Sequence, residues 1–488
     1  MIEIRSTDLF INAIQTTLIV LLTWFAGRSL YRLYLHPLAK FPGPKQAAIT
    51  HWYEGYYDII HKGRYIFHIE ELHKKYGPII RVGPNELHIL DPDFYHTLYS
   101  TTNFHANKSP YFYSMLGNPL ATFPCIDSAV HRKRRAALSP FFSAGAIAKF
   151  EPFIQSRIDA LCARIAVCAE RDESVPLFYA YRCLTVDIIS EYVFGGEFGM
   201  LGREDWGEGF YAAWRALWEL SGLIRQVPVL MRVFEGMPRW MTRCVNSKAG
   251  EVLDMQDKTD EATRRVLELK RDDMEGREWK SIIWEVARSR ELEEEEKSFK
   301  RLAVEANSLL AAGFESTGAM LGVITLEVLR DEEVHAQLRR ELEETIPDEG
   351  KILAWRELEK LPVLSAVVRE ALRISVGPFA RLPRVFNQAI QYKEWTIPAG
   401  TEIGQSNLFI AHSPSIFPEP HKFIPSRWAT PNSAERRRLE HHLHPFGRGS
   451  RQCVAMNLAY AELYRGIATL FRRFPHLRLD GMGEEDGK

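Results

Sequence analysis

The chain has 488 residues, 46% hydrophobic and 26% charged, with a formal net charge of −1. That composition excludes collagen-like, low-complexity and largely disordered chains, and the balanced charge removes the footprint of a nucleic-acid binder. The six cysteines, Cys125, Cys162, Cys168, Cys183, Cys244 and Cys453, show no paired spacing. Neither a disulfide framework nor a structural zinc site is expected, and a reducing compartment is.

In chain order, the first feature is the uncharged run at residues 9–26, LFINAIQTTLIVLLTWFA, close to the length that spans a hydrocarbon core. Glu3, Arg5 and Asp8 roughly cancel before it, whereas Arg28, Arg32, Lys40 and Lys45 follow it. The positive-inside rule then places the rest of the chain in the cytoplasm. A cleaved signal peptide is the alternative, since Ala26 and Gly27 are small. The start is not clearly basic, however, and the segment runs straight into Tyr31-Arg32-Leu33-Tyr34. Pro37, Pro42 and Pro44 make residues 36–44 a stiff, extended hinge. The expected organisation is an anchor at 1–35, the hinge at 36–44 and one body at 45–488.

Within the body, the runs at 79–82 and 86–89 alternate around Gly83-Pro84-Asn85 and predict a hairpin. Helical periodicity predicts helices over 146–170, 185–194, 206–223, 257–271, 299–330, 332–345 and 362–374. The acidic run 291–296 reads as a solvated connection, and no internal repeat is visible. The fold class is mainly α with a small β portion.

One cysteine has unusual neighbours: Phe446-Gly447-Arg448-Gly449-Ser450-Arg451-Gln452-Cys453. Two glycines allow a tight turn with converging backbone amides, and Cys453 then stands at the entrance of a helix. Both features favour the thiolate, the form that binds a metal, and Arg451 adds a cation that could hold a carboxylate. An arbitrary cysteine is most often a buried free thiol. The pattern Phe-x-x-Gly-x-Arg-x-Cys, however, arises by chance in a chain this long roughly once in a thousand.

This segment resembles the haem-binding loop of the cytochromes P-450. The family's glycine two residues after the cysteine is Ala455 here. The family's other motifs follow the same order. Glu370-Ala371-Leu372-Arg373 is similar to Glu-x-x-Arg, and Phe423-Ile424-Pro425-Ser426-Arg427-Trp428 to its downstream partner segment. The resemblance implies a structural network of Glu370, Arg373 and Arg427. Ala311-Ala312-Gly313-Phe314-Glu315-Ser316-Thr317 resembles the oxygen-activation motif, with Ser316 where the family usually has threonine. Small residues at 312 and 313 would admit a diatomic ligand. A hydroxyl at 316 can bond back four residues and open a local bulge, with Glu315 as an acid at the outer end. His131-Arg132-Lys133-Arg134-Arg135 and Arg381-Leu382-Pro383-Arg384 resemble propionate-binding segments.

The resemblance therefore implies a haem b whose proximal ligand is Cys453, held also by His131, Arg135, Arg384, Arg451, Phe446 and Gly313. Glu315, Ser316 and Thr317 would handle protons, and O2 would be a co-substrate. No flavin or nicotinamide segment is visible, so electrons are expected from NADPH through a separate cytochrome P-450 reductase, with cytochrome b5 as a further donor. The anchor, the hinge and the run at 73–81 resemble microsomal fungal members of the trichodiene-oxygenase type. That likeness implies an endoplasmic-reticulum anchor, a monomer and no nucleic-acid partner. Phe112, Phe123, Leu309, Phe314 and Phe379 would wall a pocket for an apolar secondary metabolite, a terpenoid first and an alkaloid or polyketide second. A haem-thiolate isomerase or dehydratase that uses no O2, and a non-catalytic haem protein, are the alternatives. Only 35 residues follow Cys453, which leaves the family's further β-hairpin expected as truncated, absent or built differently.

Overall fold

The computed structural model describes residues 3–99, 106–116, 120–238, 240–242, 249–270, 272–274, 276, 278–375, 381–430 and 432–480. Its axis is the 32-residue helix Phe299–Arg330, about 48 Å long at 1.5 Å per residue. Leu177–Phe194 crosses it closely. A Cβ at Gly313 would come within 2.8 Å of Ile189, and one at Gly318 within 2.9 Å of Arg182, so only glycine permits this approach. Ala144–Glu170, opened by the Ser143 cap, and Met456–Arg473 complete the main core around Phe150, Tyr192, Leu321 and Phe471. Pro362–Ile374 begins with proline in its first turn, where no intrahelical donor is lost.

The predicted hairpin is present as Ile79–Gly83 and Glu86–Ile89. It is one edge of a five-stranded sheet completed, in spatial order, by Glu402–Gly404, Arg384–Val385 and Asn107–Lys108. The third strand runs parallel to the second and sets Glu86 opposite Glu402. Ile390–Tyr392 and Trp395–Ile397 form a separate hairpin. These later strands are two or three residues long, too short for a period-2 pattern to be visible in the sequence. The mainly helical class with small sheets holds, while several helix bounds shift. The helix predicted from 185 begins at Leu177, and that predicted from 257 begins at Ala249.

At the N-terminus, Glu3–Leu30 is one helix. The stretch Asp8–Leu35 has a mean hydropathy of 1.8 and exposes its apolar side chains. Beyond it, Arg32 donates to the Ile49 carbonyl, and Arg81 donates to the Arg32 carbonyl at 2.8 Å. The foot of the apolar helix is thereby fastened to the sheet.

Candidate haem-binding site

The loop before Met456–Arg473 turns through Gly447 and Gly449, both left-handed with φ of 69° and 73°. Side chains rarely adopt that conformation, which accounts for glycine at both positions. The turn closes when the Cys453 amide donates to the Phe446 carbonyl at 2.9 Å. Phe446 packs edge-on against Tyr460 of the following helix. Cys453 is exposed, unlike Cys125, Cys162 and Cys183. It nevertheless sits deep in the protein mass, and this desolvation raises its pKa, opposed by the Ala455 amide and by Arg135. The helix itself begins three residues later, at Met456, so Cys453 stands in the loop before the helix and not at its entrance. The positive charge of a bound metal would favour the thiolate further.

Basic groups gather beside this loop. Helix Ser128–Leu138, capped by Asp127, presents His131 and Arg135 one turn apart. Arg135 donates to the carbonyls of Gln452 at 2.7 Å and Cys453 at 3.5 Å, bracing the cysteine loop. Arg451 donates to the carbonyls of Cys125 at 2.7 Å and Ile126 at 3.0 Å. Arg384 reaches the Tyr113 hydroxyl at 3.4 Å. Lys108, which the sequence did not single out, lies buried with its ammonium 4.2 Å from the ring centres of both Tyr113 and Phe123.

These groups repel one another. Burial and the neighbouring Arg384 and Arg451 hold Lys108 well below its usual range. His131 is pushed down to about 2 by burial and then by Arg451, Lys108, Arg135 and Arg384. Arg451 falls to about 10 through burial and Arg384. Among the described residues, the hydrogen-bond partners of Lys108, Arg135, Arg384 and Arg451 are carbonyls and hydroxyls, with no carboxylate among them. Buried cations without anions are costly unless a ligand provides the charge. The donor set fits a doubly anionic group next to Cys453, as the two propionates of a haem would be.

Behind the loop, Glu370, Arg373 and Arg427 are brought together. Arg373 donates to both Glu370 oxygens at 2.8 and 3.0 Å, and Arg427 to one at 3.0 Å. Two partners were not legible beforehand: the Trp428 indole at 2.8 Å and the Ile424 amide at 3.0 Å. Remaining Arg373 donors satisfy the Ala411, Pro420 and Lys422 carbonyls.

On the central helix, Ser316 donates to the Ala312 carbonyl at 2.8 Å, and both residues are exposed. The helix stays α-helical through this bond, without the expected bulge. Glu315 lies outward and pairs with Arg182 at 3.0 Å, whose guanidinium rests on Phe178 and Tyr211 at 3.8 and 4.4 Å. Thr317 is buried.

Several expected site residues lie elsewhere. Gly313 faces Ile189, on the packing side of the helix, so it makes room for a helix and not for a ligand. Phe314 is 1% exposed and packs against Phe210 and Trp214. Phe112 is buried beneath the guanidiniums of Arg225 and Arg381. Helical position identifies a residue's neighbours along the chain but not which partner its face meets, which is why these three were misplaced. Leu309 belongs to the main core, Phe123 is 41% exposed, and Phe379 lies outside the described residues.

The chain was compared with known proteins. The family model for cytochrome P-450 matches residues 47–486. Among curated relatives, the cytochrome P-450 monooxygenase sdnE of Sordaria araneosa is 35% identical over 95% of this chain and 92% of its own length. The monooxygenase aflU of Aspergillus parasiticus is 36% identical, with coverage of 95% and 92%. The tryptophan 6-hydroxylase fscE of Fusarium equiseti is 35% identical, covering 91% and 86%.

Proposed function

The chain belongs to the cytochrome P-450 family, and from that premise we propose that it is a membrane-anchored monooxygenase. Its substrate in this reading is an apolar secondary metabolite, terpenoid-like as first choice. Monooxygenase activity with haem b, O2 and electrons from NADPH through a reductase follows from the family and from relatives of fungal secondary metabolism. The observation that carries the site assignment is the cluster of Lys108, Arg384 and Arg451 beside the Cys453 loop, none of which hydrogen-bonds a carboxylate among the described residues.

Bound haem supplies the centre at which O2 is activated and the substrate oxidised. Cys453 is the residue that would ligate its iron, and Lys108, His131, Arg384 and Arg451 would hold its propionates. Arg135 acts on the cysteine loop itself, fixing it through the Gln452 and Cys453 carbonyls. Ser316 holds its proton toward the Ala312 carbonyl and can release it by rotating about one bond, because serine lacks the methyl that restricts threonine. Glu315 must leave Arg182 before it can pass a proton inward, so the pair holds this side chain at the outer end of the relay.

The exposed apolar stretch Asp8–Leu35 supports insertion in the endoplasmic reticulum membrane with the body in the cytoplasm. Trp52, Tyr56, Ile60, Leu217, Val229, Val233 and Trp240 expose further apolar surface that a bilayer would cover. The reductase, with cytochrome b5 as a second donor, would reach a monomer from the cytoplasm. NADPH oxidation by the full-length protein with reductase tests the reading. Substrate-dependent consumption with an oxygenated product supports it, and turnover of a hydroperoxide without NADPH contradicts it.

A further inference from the structure

A short stretch beside the cysteine loop, residues 120–126, leads into helix Ser128–Leu138 and is gripped by charged side chains. The Arg134 guanidinium donates to the Ala121 carbonyl at 3.5 Å, and the Lys108 ammonium donates to that of Phe123. Arg451 takes the Cys125 and Ile126 carbonyls at 2.7 and 3.0 Å. Carbonyl after carbonyl thus faces a cation.

Thr122 meets an anion instead. Its amide and its hydroxyl both donate to one oxygen of Glu305, at 3.0 and 2.7 Å. Arg301, one turn earlier on the central helix, lies 2.6 Å from the same oxygen. Arg301 also donates to Glu296 at 3.1 Å, and Glu296 accepts two bonds from Arg134, at 2.7 and 2.8 Å. Glu305, Thr122, Arg301 and Arg134 are all buried. Hydrogen bonds to an ion-paired carboxylate are shorter and stronger than those to a neutral acceptor. Thr122 is therefore fastened firmly to the longest helix of the core.

The residue after Thr122 is the one on which Lys108 depends. The ammonium donates to the Phe123 carbonyl and lies 4.2 Å from the ring centres of Phe123 and Tyr113. Two of these three contacts belong to Phe123, so the placement of Thr122 decides where the ammonium points. Arg451 holds the far end of the stretch separately. Among the described residues, Glu305 bonds and pairs with Thr122 and Arg301, and with neither Lys108 nor the cysteine loop.

We propose that Glu305 is a positioning residue for the haem: by holding Thr122 it fixes Phe123 and, through Phe123, the ammonium that Lys108 would offer to a propionate. This rests on the haem-thiolate reading above.

Haem release from the full-length, haem-loaded protein to excess apomyoglobin measures the hold on the propionates, and a reductive titration gives the midpoint potential. Glu305→Gln is expected to release haem about tenfold faster, the worth of one charge-assisted hydrogen bond. Its potential should move to more negative values, because a displaced cation no longer favours the more negative, reduced haem. Lys108→Met should do both. In the Lys108→Met background, Glu305→Gln should change release by less than about twofold, because the group it positions is gone. A merely loosened fold would speed release equally in both backgrounds and leave the potential unmoved. Unchanged release or potential in either single variant, or factors that multiply in the double variant, overturns the proposal. If Glu305→Gln does not load haem, the same cycle run with Thr122→Val, expected to speed release about threefold, decides. A parent without the red-shifted, carbon-monoxide-bound Soret band overturns the haem-thiolate reading, and this role with it. A parent that shows the band, together with parent-like release in Glu305→Gln, overturns the role of Glu305 alone.

Discussion

Two buried charge clusters of this molecule are built on opposite principles. Around Glu370 each cation reaches an anion: two guanidiniums, an indole and an amide converge on one carboxylate, and the spare Arg373 donors meet carbonyls. Around Arg384 and Arg451, among the described residues, the cations donate hydrogen bonds to carbonyls and hydroxyls and to no carboxylate, and they depress one another. A charge set that closes on itself holds a fold together. One that stays open costs stability until a ligand completes it.

The largest effect should come from breaking the closed set. Glu370→Gln leaves two buried guanidiniums uncompensated, and about 3–5 kcal/mol of stability should be lost. Denaturant unfolding of the haem-loaded protein should show this loss, even though Glu370 touches no substrate.

Opening the other cluster further should do the reverse to the haem-free chain. Arg384→Leu removes a repelled cation, so the haem-free protein should melt no lower than the parent. Haem affinity should fall by about tenfold or more, the worth of one charge-assisted hydrogen bond. Haem titration and thermal melts of the same sample separate the two readouts. A parallel loss of stability would make Arg384 a second Glu370-type residue.

A smaller effect concerns the central helix. Ser316→Ala removes the exposed hydroxyl bonded to Ala312. Product formed per NADPH should drop about tenfold, with peroxide making up the difference, while the carbon-monoxide spectrum stays unchanged. Ser316→Thr should raise coupling above the parent by restricting the hydroxyl's rotamers.

The smallest effect is a pH slope from the carboxylate-rich side of the sheet. Burial pushes Glu86 up to about 8 and Glu402 up to about 7, with Glu402 and Glu54 adding repulsion at Glu86 and Glu54 adding it at Glu402. The folded chain thus holds protons that the unfolded chain has released above about 4.5. This contribution to stability is complete at acid pH and lost as pH rises toward 8. Glu402→Gln should flatten the decline of Tm between pH 5 and 8, and an unchanged slope would remove Glu402 as its source.

What the sequence revealed follows from distance along the chain. The cysteine loop, Glu370 with Arg373, and Ser316 with Ala312 are contacts over a few residues, so each lies within a short motif that the family resemblance exposes. Glu54 joins Arg225 across 171 positions and Arg381 across 327, which no local pattern encodes. Lys108 escaped notice for a related reason. Its significance lies in Arg384 and Arg451 arriving from far downstream, and a lone lysine in a short strand carries no signal. Gly313 and Phe314 show the complementary failure, where the motif was visible but the facing helix, Leu177–Phe194, was not.

The most direct measurement is the Soret band of the dithionite-reduced, carbon-monoxide-bound protein, recorded for the parent and for Cys453→Ala. The account predicts a strongly red-shifted thiolate band in the parent and none in the variant. A red-shifted band that survives in Cys453→Ala, or a parent band at the position of neutral ligation, would contradict the assignment of Cys453 as the haem ligand.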